Sequence, residues 1–336
     1  MQIMRHILDE TDRRIVAVLL SAPRASWREV AHCLELSERT VTRRVTPLYA
    51  DDTLRATVVG NPVKAPGVIP VALRIRCRPG KVRQVADALA HRADTTSVDI
   101  LGGGDEICAV FFLDGPEARN TLLLRDLPAT DAVNSWTAHT LLRVFPNAFR
   151  WTAGLLSPEE TARLAPVPPT APAATPAPLP IDASLVASLT EDGRASYTDL
   201  AHRAGTTPLT ARRRLDALVR GLVVRLATEV DLALLGVQAE ALLWITVQPG
   251  ALEKTAQTLS THPHVRFAAA TTGPANLLIA LGAADLDALY TFLTTTVGPL
   301  RQITAVEIAP LLATAKRTGL VRRTTASKAV APLGRP

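Results

Sequence analysis

The segment SERTVTRRVTPL, residues 37–48, spaces guanidinium and hydroxyl groups so that a helix would gather them on one side. Val41, Val45 and Leu48 fall on one face of that helix, and Glu38, Arg39, Thr42 and Arg43 on the other. TPLTARRRLDAL, residues 207–218, repeats the pattern, with Ala211, Leu215 and Leu218 inward and Leu209, Arg212 and Arg213 outward. Such a face suits the major groove of double-stranded DNA. Arginine can make two parallel bonds to a guanine edge, threonine can touch a thymine methyl, and the first N–H groups of a capped helix point at phosphate. The residues expected to contribute are Ser37, Arg39, Thr40, Thr42, Arg43 and Arg44 in the first segment, and Thr207, Thr210, Arg212, Arg213 and Arg214 in the second. The competing reading is a basic helix face that meets only solvent. Recurrence of the turn spacing and caps favours DNA.

Other chemistry finds less support. The chain has no Walker A loop, no GxGxxG after a strand, no HExxH and no nucleophile elbow, so no enzyme and no cofactor are expected. His262 and His264 flank Pro263 without further metal ligands nearby, so no metal site is expected, and His139 reads as a structural histidine in a strand. Cys33, Cys77 and Cys108 are odd in number and widely spaced, which fits neither a disulfide framework nor a zinc site. They imply a reducing, cytoplasmic setting with each thiol acting as a small core group. No apolar run is long enough to span a bilayer. The net charge of +6 is by itself a weak nucleic-acid signal.

The elements that would position these residues come in two copies. Asp12 and Asp182 open similar segments, 170 residues apart, and that offset then holds without a gap. PRAS at 23–26 matches GRAS at 193–196, Arg43 and Arg44 match Arg213 and Arg214, and LRIRCRPG at 73–80 matches LWITVQPG at 243–250. Each copy starts with three short helical patterns. A capping box, SWRE at 26–29 or its relative SYTD at 196–199, opens the second, and Ser37 or Thr207 caps the third. The β-branched runs LRATVV and LVVRLATEV that follow suit wing hairpins. Each copy then reads β-α-β-β-α-β, the ferredoxin-like order, which leaves one sheet face apolar and in need of a partner.

The expected fold is therefore α+β: two winged helix-turn-helix domains, each followed by a ferredoxin-like βαββαβ regulatory domain, paired within one chain as a pseudo-dimer. The expected boundaries are 1–62 and 66–150 for the first copy, a Pro/Ala-rich linker at 157–180, 181–235 and 237–315 for the second copy, and a basic tail at 316–336.

LDETDRRIVAVLL with LSERTVTRRVTPL, and GRASYTDLAHRAGTTPLTARRRLDALVRGLVV, each followed by βαββαβ, together resemble the Lrp/AsnC family, the feast/famine regulators. The resemblance covers nearly all of the chain outside the spacer and tail. It implies a DNA-binding transcription regulator whose regulatory domain assembles it and senses a small effector, commonly an amino acid. It also implies homo-oligomers, here built from pseudo-dimeric chains. Effector residues would lie at the turn between the second and third regulatory strands: Gly103 and Glu106 (after Gly102) in copy one, Thr272, Gly273 and Asn276 in copy two. Both turns depart from the family pattern of threonine-glycine followed by aspartate, and both are also readable as hairpins that need glycine and nothing more.

Three further expectations follow. The two reading helices differ, so the preferred DNA site is an imperfect palindrome. Pro47 has no counterpart in the family pattern and is expected to shorten or kink the first reading helix, favouring copy two for base contact. Sirohaem decarboxylases share the architecture, some as tandem fusions, but their histidine-asparagine-tyrosine cluster is absent where this chain reads TSVDILGG and VRFAAATT. An architectural DNA-binding protein without an effector would share every DNA feature.

Overall fold

The computed structural model describes residues 7–164 and 175–322. In the first copy, helices α1 (Glu10–Ser21), α2 (Trp27–Leu34) and α3 (Glu38–Ala50) precede strand β1 (Leu54–Gly60). Strand β2 (Val68–Cys77), helix α4 (Val82–Ala90), strands β3 (Thr95–Leu101) and β4 (Glu106–Asp114), helix α5 (Gly115–Thr121) and strand β5 (Val133–Val144) complete it. Helix α6 (Pro158–Arg163) follows. The second copy runs α7 (Ile181–Glu191), α8 (Tyr197–Arg203), α9 (Pro208–Arg220), β6 (Val224–Val230), β7 (Ala239–Val247), α10 (Leu252–Ser260), β8 (Val265–Thr271), β9 (Leu277–Ala283), α11 (Leu286–Thr291) and β10 (Ile303–Arg317), with a short β11 (Leu320–Val321). The β-α-β-β-α-β order is present in both copies.

Each head is a three-helix unit around a small core. Ile15, Leu19, Val30, Val41 and Val45 are buried in the first, and Leu185, Leu189, Leu200, Ala211 and Leu215 in the second. The tight turn before the third helix uses the left-handed region in both, at Glu35 (φ 56°) and at its counterpart Gly205 (φ 61°). Pro47 lies inside α3 without shortening it, because both reading helices have 13 residues. That corrects the expected truncation: the proline withholds only its own N–H from the ladder, and the helix runs on to Ala50, with the Asp51 N–H bonded to Pro47 O.

The expected wing hairpins are not formed. A single strand follows each head, and β1 pairs antiparallel with β6 of the other copy, from Leu54 opposite Val230 to Gly60 opposite Val224. Thr57 faces Ala227, its own counterpart 170 residues later, so the pseudo-two-fold axis passes through the ribbon there. Each strand also enters the opposite core: Val230 packs into the first head and Val58 into the second.

The regulatory strands follow one rule twice. Each copy forms a sheet, ordered β3-β4-β2-β5 or β8-β9-β7-β10, and β5 joins β8 while β10 joins β3. The two sheets were expected to meet through their faces. They also join along both edges, closing a ring of eight strands. The seams are equivalent to the residue: Leu141 faces Thr271 and Arg143 faces Ala270, while Leu311 faces Leu101 and Ala313 faces Ile100, with the same register shift between. Ala72, Cys108, Leu141, Trp244, Leu278 and Ala309 fill the space between the sheets. Helices cover the outer faces over Phe111 and Leu73 on one side and Leu243 and Leu281 on the other. All three cysteines are buried and unpaired, and burial holds the Cys77 thiol up at about 11.

Two boundaries shift. The linker expected at 157–180 begins with α6, whose capping box joins Ser157 and Glu160 and which packs on α2. Cys33 Sγ donates to Glu160 O, Arg163 donates to Cys33 O, and Arg14 pairs with the Glu160 carboxylate. Residues 165–174 lie outside the described residues. The basic tail expected from 316 starts inside β10. Lys316 is buried and donates to Arg92 O and Thr95 Oγ1, and Arg317 is buried against Glu240, so both cations find polar partners inside the fold. Residues 323–336 lie outside the described residues.

Trp151, carried between β5 and α6, is 9% exposed and inserts into the core of the first head. Trp151→Ala is expected to cost about 3–5 kcal/mol in chemical unfolding, as a large core truncation does. A loss under ~0.5 kcal/mol would show that this segment does not anchor the head.

Candidate nucleic-acid interface

The reading helices start alike. Ser37 Oγ accepts from the Thr40 N–H at 3.0 Å, and Thr207 Oγ1 accepts from the Thr210 N–H at 3.2 Å. The hydroxyl pairs also meet, Ser37 with Thr40 at 2.8 Å and Thr207 with Thr210 at 2.9 Å. These four residues therefore shape the helix starts, and what they offer a phosphate is chiefly the oriented backbone N–H groups.

Beyond the caps, α3 exposes Arg39, Thr42 and Arg43, and α9 exposes Leu209, Arg212 and Arg213. Val41 and Val45, like Ala211 and Leu215, anchor the opposite face. None of Arg39, Arg43, Arg212 and Arg213 forms an ion pair among the described residues. Arg212 lies over the Tyr197 ring at 5.9 Å. Thr42 Oγ1 donates to Glu38 O, so its methyl and acceptor lone pairs are what it presents outward. Leu209 is 57% exposed at the start of α9, an apolar contact with no equivalent in α3.

Arg44 and Arg214 leave the expected contact set. They sit one residue past the outward arginines, which turns them toward the first helix of each head. Arg44 Nη1 reaches Asp9 at 2.5 Å and Asp12 at 3.0 Å. Arg214 pairs with both oxygens of Asp182 at 2.6 Å and also donates to Ala177 O. They tie the reading helix to its own head, and Asp12 and Asp182, which first revealed the repeat, are their partners.

The expected effector residues are largely occupied. Glu106 accepts from Arg74 Nε at 2.6 Å and Nη2 at 3.1 Å, and Arg74 also pairs with Glu307 on β10. Asn276 binds both the N–H and the C=O of Val247, closing the edge between β9 and β7. Thr272 takes the Thr140 N–H on its hydroxyl and lends its carbonyl to His139 Nδ1. Gly273 has φ +103°, and a Cβ there would come within 2.6 Å of His139 Nδ1. Gly103 is crowded by the Asp105 carboxylate. The second turn is thus a built part of the seam, and only the first keeps a charged cluster beside it. Among the described residues no group of metal ligands occurs, and no helix is long and apolar enough to cross a membrane.

Burial pulls the Asp182 pKa up, but the Arg214 guanidinium and the Leu179 N–H outweigh it and hold the group below its ordinary value of 3.8. The pairing therefore stabilises the second head above that value, and its contribution fades as pH falls through the lowered one. Arg214→Ala is expected to cost about 1–3 kcal/mol of stability near neutral pH. In urea titrations that loss should shrink at pH 3. Equal loss at both values would show that the ion pair is not its source.

Models of two families match the chain: the AsnC-type helix-turn-helix domain at residues 8–48 and again at 180–219, and the Lrp/AsnC ligand binding domain at 240–321. An uncharacterized HTH-type transcriptional regulator of Pyrococcus abyssi is 28% identical over 138 residues, covering 41% of this chain and 87% of the relative. One from Pyrococcus furiosus is 36% identical over 97 residues, covering 29% of this chain and 64% of the relative. Over nearly full length, 92% of this chain and 93% of the other, the fold is similar to the siroheme decarboxylase NirDL with a TM-score of 0.56. Identity there is 12%, so the likeness concerns the fold and not the reaction. One polypeptide thus carries two matches to the AsnC-type helix-turn-helix domain and one to the Lrp/AsnC ligand binding domain.

Proposed function

We propose that this chain is a sequence-specific, DNA-binding transcription regulator of the Lrp/AsnC type that carries both halves of a two-fold reader on one polypeptide. The observation that carries the reading is the pair of capped helices whose outward arginines, Arg39 and Arg43 in one and Arg212 and Arg213 in the other, are exposed and make no ion pair among the described residues. Guanidinium groups left free on a helix start bring the bidentate base contacts and phosphate neutralisation that DNA binding needs. The faces differ, threonine-rich on α3 and bearing Leu209 on α9, so the two half-sites differ in sequence.

The regulatory ring is the sensing and assembly part. An amino-acid-like effector finds opposite charges at the first turn, where Arg74 lies between Glu106 and Glu307, and it binds by competing with those pairs. Leu142 and Leu312, equivalent residues on the last strand of each sheet, are 55% and 61% exposed and give chains an apolar surface for assembly. A cytoplasmic setting accords with three unpaired cysteines.

A duplex enriched from random-sequence DNA with the full chain provides the test. Arg212→Ala with Arg213→Ala should weaken binding about ten- to hundredfold and flatten its salt dependence, with unfolding unchanged. Unchanged affinity contradicts the groove assignment. Decarboxylation of sirohaem by the same preparation would instead favour the enzymatic reading of this architecture.

A further inference from the structure

One pair of equivalent arginines bridges the two heads across the pseudo-two-fold axis. Arg24, between α1 and α2, donates from Nη1 to Gly193 O and from Nη2 to Ala195 O, both at 2.8 Å. Arg194, its counterpart 170 residues later, donates from Nη1 to Pro23 O at 2.6 Å and from Nη2 to Ala25 O at 2.8 Å. Each guanidinium therefore holds the two carbonyls that flank the other. The planes are supported by aromatic rings: Arg194 lies 4.0 Å from the Trp27 centroid, and Arg24 lies 4.9 Å from that of Tyr197.

We propose that Arg24 and Arg194 are positioning residues that lock the two reading helices at one separation and phase, and so set the spacing of the half-sites that the chain accepts. This rests on the DNA-binding reading above.

A planar fork with two parallel donors fixes orientation as well as distance, which a single hydrogen bond does not. The acceptors lie in the turns that lead into α2 and α8, the helices that abut α3 and α9, so the clasp acts on the heads themselves. Other links between the heads run through the β1–β6 ribbon. Examples are Gly193 N–H to Ala56 O at 3.0 Å, Thr228 Oγ1 to Leu19 O at 2.7 Å and Thr57 Oγ1 to Thr190 O at 3.3 Å. A two-stranded ribbon twists readily, and a cross-brace off its axis is what resists that twist. On B-DNA one added base pair moves a half-site by about 3.4 Å and a tenth of a turn. A locked head pair cannot follow both changes, and the mismatch must be met by deforming the duplex.

The test uses the full chain with spin labels on Glu38→Cys and Leu209→Cys, one exposed site at the start of each reading helix; the native cysteines are buried. A narrow distance distribution is expected with the arginines in place, and one at least about twofold wider after Arg24→Ala with Arg194→Ala. Equal widths overturn the proposal. The second arm measures binding to an enriched duplex and to versions with one base pair added or removed between half-sites. The parent should lose about tenfold on changed spacing and the double variant less than about threefold. A uniform loss at every spacing shows a merely structural role and overturns the proposal. Failure to enrich any duplex removes the DNA reading, while the label distances still decide whether the arginines orient the heads.

Discussion

Unpaired strand edges govern this molecule. Each four-stranded regulatory sheet ends in two edges whose N–H and C=O groups need partners, and each head is followed by a lone strand that cannot form a sheet alone. The structure answers all of these needs by pairing one copy with the other: β5 with β8, β10 with β3, and β1 with β6. The register of these pairings respects the 170-residue offset, including the irregularity in the two barrel seams. Everything else follows from that closure. The apolar face of each sheet is buried against its twin, and the two heads are drawn to one axis. Because the halves share a chain, their encounter is intramolecular, and the pairing does not depend on protein concentration.

Symmetry is kept where it bears on geometry and lost where it bears on recognition. The caps of α3 and α9, the left-handed residue before each, the ion pairs of Arg44 and Arg214 to the first helix, and the arginine clasp all recur. The outward faces do not: Thr42 and Thr46 on one helix stand where Arg212 and Asp216 stand on the other. The regulatory turns diverge as well. Arg74, Glu106 and Ala309 in one half of the ring correspond to Trp244, Asn276 and His139 in the other. A fused pair of modules permits such divergence, since each half can change its surface while the shared seams hold its position.

Much of this was legible in the sequence because the offset is unbroken. Apolar spacing placed the helices, Ser37 and Thr207 marked the helix starts, and the β-α-β-β-α-β order followed from alternating strand and helix patterns. The failures share a cause. LRATVV reads as a strand, but nothing local says that its partner lies 170 residues away, so a hairpin was expected in place of the ribbon. Arg43 and Arg44 are chemically alike, and only the helical phase together with Asp9 and Asp12 separates an outward side chain from a tied one. Lys316 and Arg317 look like the start of a loose basic tail until Arg92 O and Glu240 are seen to receive them. PRAS and GRAS stood out as a repeated string, yet the bonds between them belong to the assembled pair.

Hydroxyl-radical footprinting of a single chain on its preferred duplex tests the central claim most directly. The account predicts one chain per site and two separate protected patches on the same face of the helix, unequal in sequence because α3 and α9 differ. Protection confined to one patch, or two chains needed to cover both, would contradict a reader whose halves are joined within one polypeptide.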